Sequence, residues 1–155
     1  MTGNVGQDEV PDRIEREVLI HAPLERVWPL VSEPGWWIGD GDPSSPRAVR
    51  RREDHVVVEF PPHGEFAVLT VDLDAPRYAA FRSCEGSGRP TEGTSTLVEF
   101  FLTEQGDDTL LRLVESGFAA LHAEADRRAA VIADDIEGWE TMLAVAKRFA
   151  ERVSV

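Results

Sequence analysis

A second cysteine is missing. Cys84 stands alone in 155 residues, which excludes an internal disulfide and points to a reducing, cytoplasmic location. No apolar run approaches the roughly 18 residues of a membrane span, and no basic, apolar start marks a secretory leader. Basic residues are few, 16 against 29 acidic, for a net charge of −13. Phosphate backbones and anionic lipid surfaces repel such a chain, so neither nucleic acid nor a stable membrane association is expected. There is no Gly-rich phosphate loop, Walker motif or dinucleotide fingerprint, and no G-x-S-x-G elbow surrounds Ser116. His21, His55, His63 and His122 have no His or Cys partner at metal-ligand spacing. His122 and Asp126 are four apart, which supplies only two ligands. Asp40, Asp42 and Glu53 make an acidic loop region without the alternating oxygen ligands of an EF-hand. No metal and no cofactor are expected.

What is present begins at the C-terminus. From Ala125 to Val153 there is no proline and one glycine, Gly138. Ile132, Ile136, Trp139, Leu143, Ala146, Ala150 and Val153 recur at steps of four or three, the face of an α-helix. Met142 and Phe149 widen the stripe. Arg128, Asp135, Glu140, Lys147 and Glu151 fall on the opposite face and are assigned to water. A stripe of this length needs a partner surface, and the rest of the chain reads mostly as strands.

Met1–Pro11 is polar and is read as a disordered tail, leaving 12–155 as a single domain. Arg13–His21 alternates as a strand, with Ile14, Val18 and Ile20 on one face. Pro23 suits the first turn of a short helix carrying Leu24, Val27, Trp28 and Val31, in which Pro29 should produce a kink or an early end. Ser32-Glu33-Pro34 opens a second short turn-and-helix piece with Trp36 and Trp37. Strands follow over Arg47–Arg52, His55–Phe60, Glu65–Asp74, Arg77–Cys84, Thr94–Glu104 and Thr109–Glu115. In the third of these, Leu69, Val71 and Leu73 oppose Thr70, Asp72 and Asp74. Short turns between the strands imply an antiparallel meander with one face needing cover. The long helix supplies it, which gives an α+β fold of two layers.

Three stretches together resemble a known superfamily. They are Ala22-Pro23-Leu24-Glu25-Arg26-Val27-Trp28, Thr109-Leu110-Leu111-Arg112-Leu113-Val114-Glu115-Ser116-Gly117-Phe118 and Glu137-Gly138-Trp139-Glu140-Thr141-Met142-Leu143. In this order, over about residues 12–153, they resemble the START-like (SRPBCC, Bet v 1-like) superfamily. Within it they resemble the family of the C-terminal domain of the heat-shock-protein-90 ATPase activator. The resemblance implies a helix-grip fold: a curved antiparallel sheet of six to seven strands wrapped round the last helix, with two short helices after the first strand. It also implies a cavity between sheet and helix, often apolar and often ligand-binding. Pro29 departs from the pattern, where relatives carry a helix former. Ser83 stands where many members have tryptophan; either the smaller side chain enlarges the cavity, or the register shifts by one and reverses which side chains face in.

Candidate binding residues follow from the aromatics. Trp36, Trp37, Phe60, Phe66, Phe81, Phe100, Phe118 and Trp139, with Leu111, Ile136 and Met142, are read either as walls of one hollow or as filling of the core. Trp28 is assigned to packing. Glu115 continues the inward parity of Leu111 and Leu113. As a buried carboxylate it needs a partner or a raised pKa, while parity turns Arg82 and Arg112 outward. It is read as a ligand-orienting group, as a weak candidate for acid–base catalysis, or as a backbone cap at the strand end. Arg82, two residues from Cys84, is in a position to lower the thiol pKa, though a structural thiol is the plainer reading.

The expected function is binding or sequestration of a small hydrophobic or aromatic molecule, lipids included, by a monomer or weak dimer. The alternatives are a polyketide cyclase- or dehydratase-like enzyme using Glu115, a co-chaperone-like activator of a heat-shock-90 ATPase, and an antibiotic self-resistance protein.

Overall fold

The computed structural model describes residues 12–42 and 44–152. The tail predicted over Met1–Pro11, and Val153 of the helical stripe, lie outside the described residues. Seven strands form one antiparallel sheet: β1 (Arg13–Ile20), β2 (Ala48–Arg51), β3 (Val56–Phe60), β4 (Gly64–Asp74), β5 (Tyr78–Glu85), β6 (Thr96–Gln105) and β7 (Asp108–Ser116). The described residues also form three helices: α1 (Leu24–Val31), α2 (Phe118–Leu121) and α3 (Ala125–Arg152). The strand order is β1-β7-β6-β5-β4-β3-β2, a meander in which only β1 is displaced, to the side of β7. Helix α3 has 28 residues and so runs about 42 Å at 1.5 Å per residue. This is the helix-grip α+β fold.

Alternation decides which strand residues face the helix. Ile14, Ile20, Phe81, Val98, Phe100, Leu111 and Leu113 are fully or almost fully buried. The register sets Val98 opposite both Phe81 and Glu115 and sets Ile14 opposite Glu115 on the other side. From α3, Ile132, Trp139, Met142, Leu143, Ala146 and Ala150 meet this face. The two alanines let the helix approach closely, as small residues do at packed crossings.

Helix α1 is short, eight residues, and ends two residues past Pro29. It runs through Pro29 to Val31, and Ser32 N–H still bonds to Trp28 C=O at 2.9 Å. Pro29 and Glu25, whose carbonyl loses its donor, are both exposed, so water replaces the missing bond. In four other places the structure departs from the sequence expectations. The piece carrying Trp36 and Trp37 is a pair of tight turns, Trp36 N–H to Glu33 C=O at 3.3 Å and Ile38 N–H to Gly35 C=O at 3.0 Å, not a continuous helix. Gly35, at φ +81°, turns the chain between them.

Strand β4 carries a bulge between Thr70 and Asp72. It interrupts the period-two pattern and leaves Val71 and Leu73 about half exposed, so Leu69, Val71 and Leu73 do not form one inward face. Asp135, assigned to water, is half-buried against the sheet side of the helix. Phe149, counted in the apolar stripe, is 43% exposed and lies beneath the Arg152 guanidinium at 5.9 Å.

Candidate functional site

Sheet and helix do not close completely. A cavity of about 290 Å³ lies between them. Its walls come from the Trp37–Gly39 turn, Phe66 of β4, Ser83–Glu85 of β5, Thr96 of β6, Glu115 of β7, the α2 region from Phe118 to His122, and α3 from Val131 to Met142. Glu85, Asp134 and Gly138 on its border are exposed.

Of the twelve binding residues expected from sequence, six line this cavity: Trp37, Phe66, Glu115, Phe118, Trp139 and Met142. Trp36 and Phe60 line a second, larger hollow of about 740 Å³ beyond Ile38, which Met142 also borders. Phe81, Phe100 and Leu111 line neither; they are fully buried in the core. Ile136 is half-buried, packs on the core, and also lines neither hollow. Trp28 packs on the core from α1.

The buried phenylalanines still shape the site. Phe81 and Phe100 lie 5.4 and 5.6 Å from the Trp37 ring, and Phe100 is 5.8 Å from Trp139 at a steep angle. Trp37 and Trp139 themselves are 5.8 Å apart. Tilted and edge-to-face contacts of this kind hold rings in fixed orientations. The two indoles that face the cavity are therefore set by a closed aromatic layer behind them.

Glu115 is the polar centre. It is 7% exposed. Thr96 donates its hydroxyl to Oε2 at 2.6 Å and Trp139 donates its indole N–H to Oε1 at 2.8 Å. Burial pushes the Glu115 carboxyl above the usual carboxylate range, and the two hydrogen bonds only partly offset this. No cation helps: Arg112 lies on the outer face, paired with Glu15 and 5.1 Å above the Phe101 ring. Arg82 is also turned away, reaching the Ser95 hydroxyl at 3.5 Å.

Asp135 stands one helical turn before Trp139. Burial raises its carboxyl to about 7, with further contributions from the charges of Glu115, Asp134 and Glu85. Neither a hydrogen bond nor an ion pair engages it among the described residues. Sequence reasoning missed Asp135, Thr96 and Glu85, and raised Ser83 only as a small side chain that either enlarges the cavity or marks a shifted register. The signals were present: Asp135 is four residues before Trp139, Thr96 shares parity with Val98 and Phe100, and Ser83 and Glu85 continue from Phe81. Ser83 faces in, opposite Val68 and Thr96, so the small side chain does contribute open space at that point.

Cys84 also borders the cavity, but burial and the neighbouring Glu85 raise its pKa. The lowering expected from Arg82 is not found. Asp40 and Asp42 spend their oxygens on their own loop: Asp40 accepts from Asp42 N–H and the Ser45 hydroxyl, and Asp42 accepts from Ser44. Among the described residues, no three His, Cys, Asp or Glu side chains are placed to hold a metal ion. No helix among them is long and apolar enough to cross a membrane.

Solved structures share this architecture. The chain is similar to protein Ms6760 from Mycobacterium smegmatis, with a TM-score of 0.65, 18% identity, and coverage of 89% of this chain and 90% of that one. It is similar to the Aha1 dimer from Colwellia psychrerythraea, with a TM-score of 0.66, 15% identity, and coverage of 90% and 96%. It is also similar to the Zhui aromatase/cyclase from Streptomyces sp. R1128, with a TM-score of 0.60, 19% identity, and coverage of 90% and 93%. At such identities the likeness shows the fold and carries no activity. No protein-family model matches the chain, and a search of curated proteins finds no match.

Proposed function

We propose that the protein binds a small aromatic or apolar molecule in the cavity between the sheet and α3. The observation that carries this is the joining of a concave aromatic wall, Trp37, Phe66, Phe118 and Trp139, to one deeply buried, hydrogen-bonded carboxylate, Glu115. Ligand sites commonly combine apolar walls with a few fixed polar groups. If a ligand and its walls bury about 300 Å² of apolar surface, area bookkeeping gives roughly 7 kcal/mol before association costs. In this reading the binding domain spans 12–155 and acts as a monomer or weak dimer in the cytoplasm. The test is a set of hydrophobic probes followed by the NMR signal of the Trp139 indole N–H. A saturable shift of that signal supports the reading; no shift with any aromatic probe overturns it.

A second reading is favoured by the two elevated carboxyls. Glu115 and Asp135 border one cavity, both raised by burial, and a carboxyl raised in this way suits proton transfer. The likeness to an aromatase/cyclase suggests acid–base chemistry on a cyclic or polyketide-like substrate. Glu115→Gln, which keeps the size of the side chain, should then abolish turnover and leave the fold unchanged. Unaltered turnover in that variant removes Glu115 from the reaction.

A further inference from the structure

The charges around the cavity are all of one sign. Among the described residues, Glu85, Asp134, Asp135 and Glu115 border it and no lysine or arginine does; His122 is the one basic side chain among them on the wall. The second hollow differs, because Arg47, Arg148 and Arg152 border it together with Asp40, Asp42 and Glu151. One-sided charge is therefore a property of the first cavity and does not simply follow from the chain's net −13.

Two of the four carboxyls lack what a buried carboxyl requires. Glu115 has two neutral donors and no counter-ion at 7% exposure. Asp135 is half-buried, with no hydrogen bond or ion pair among the described residues. A carboxylate stripped of water and left without a cation is costly. Trp37 and Trp139 line the same cavity, and aromatic ring faces attract cations.

We infer that the occupant of the cavity is an organic cation: an aromatic molecule carrying a protonated amine, its ring among Trp37, Phe118 and Trp139 and its ammonium directed to Glu115 and Asp135. This rests on the cavity reading above and narrows it to a ligand class. A neutral ring would gain the apolar contacts but leave both carboxyls without a counter-ion. An anionic one would be repelled by four acidic side chains. An ammonium supplies the missing counter-ion and up to three donors to carboxylate oxygens.

Three probes with one shared ring separate the outcomes: naphthylethylamine, naphthylethanol and naphthylacetate. Each is titrated calorimetrically at neutral pH and physiological ionic strength, where diffuse attraction to an acidic chain is screened. The amine should bind at least about tenfold more tightly than the alcohol, as a charge-assisted contact requires, and the acetate should bind weakest. Asp135→Asn and Glu115→Gln should each shrink the amine-to-alcohol ratio severalfold. If the alcohol binds as well as the amine, the ligand class is wrong and the aromatic cavity stands. If the amine keeps its advantage in both variants, it binds elsewhere and the inference fails. If none of the three shifts the Trp139 indole signal, the cavity reading fails and the inference with it.

Discussion

The indole N–H of Trp139 donates to Oε1 of Glu115 at 2.8 Å, joining the middle of the long helix to the end of β7. One bond serves two purposes. It satisfies a buried indole, and it supplies one of the two donors that keep a buried carboxyl from rising further. Trp139→Phe keeps much of the ring and removes the donor. Loss of a hydrogen bond to a buried acceptor costs about 1–3 kcal/mol. The cost should depend on pH, because the bond favours the ionised form of Glu115. Without it the carboxyl keeps its proton to a higher pH, so the variant should lose more stability at pH 8 than in acid. Urea unfolding at both pH values measures this. Equal losses would mean that the bond does not discriminate the charged form.

Asp135 makes an opposite kind of prediction. Its folded-state pKa is about 7 against an ordinary value of 3.8, so between those values the folded protein holds a proton that the unfolded chain has released. Stability is then fully present below about 3.8 and is lost as pH rises toward 7. Asp135→Asn removes that loss. The variant should match the native protein in acid and exceed it at pH 8, by about 1 kcal/mol after allowing for partial solvent screening. Denaturant midpoints across the pH range give the result directly. A constant difference at every pH would contradict the titration of this group.

Much of the fold was legible because two periods dominate it. The alternation of Leu111, Leu113 and Glu115 placed Glu115 inward without any structure, since a strand has only two sides. The 3.6-residue stripe from Ile132 to Ala150 likewise put the long helix on the sheet. What failed has physical reasons. Asp135 looked like a water-facing residue because it is charged, yet its place one turn before Trp139 decides its surroundings. The bulge at Thr70/Asp72 leaves no mark in the strand's composition, so Leu69, Val71 and Leu73 were given one common face that the register breaks. Trp36 and Trp37 follow a proline and a glycine that allow either a helix or successive turns, and only the docking of the rings against Phe81 and Phe100 selects the turns. Which aromatics border empty space depends on how far the helix stands from the sheet, and no local pattern encodes that separation.

Gly138 is an unusual residue for the middle of a helix, where glycine costs roughly 0.5–1 kcal/mol relative to alanine. A Cβ added there meets nothing within 4 Å, so packing does not demand glycine. It lies on the cavity border, where a large side chain would stand across the hollow. Gly138→Ala should raise stability by about 0.5–1 kcal/mol and leave probe binding nearly unchanged. Gly138→Phe should fold as well as the native protein and bind naphthylethylamine at least about tenfold more weakly. Thermal unfolding and calorimetry on the two variants separate stability from access. Unweakened binding to Gly138→Phe would show that ligands enter by another route.

Gly35 is the reverse case, a glycine demanded twice over. Its φ of +81° is one that side chains rarely adopt, and a Cβ built on it would lie 2.8 Å from Cγ2 of Val58. Val58 is fully buried in β3 and has no room to yield. Gly35→Ala should therefore add a left-handed backbone cost of about 1–2 kcal/mol to an overpacking cost of about 1–3 kcal/mol. Gly64 provides the control, since its φ is +109° but a Cβ there meets nothing. Gly64→Ala should show the backbone cost alone. The difference between the two variants in urea unfolding then isolates the contact with Val58. Because Gly35 sets the turn that carries Trp37 into the cavity, Gly35→Ala should also displace the Trp37 indole signal, which Gly64→Ala should leave in place. Equal destabilisation by the two substitutions, with Trp37 undisturbed in both, would show that the turn is not held against β3 as tightly as the 2.8 Å approach requires.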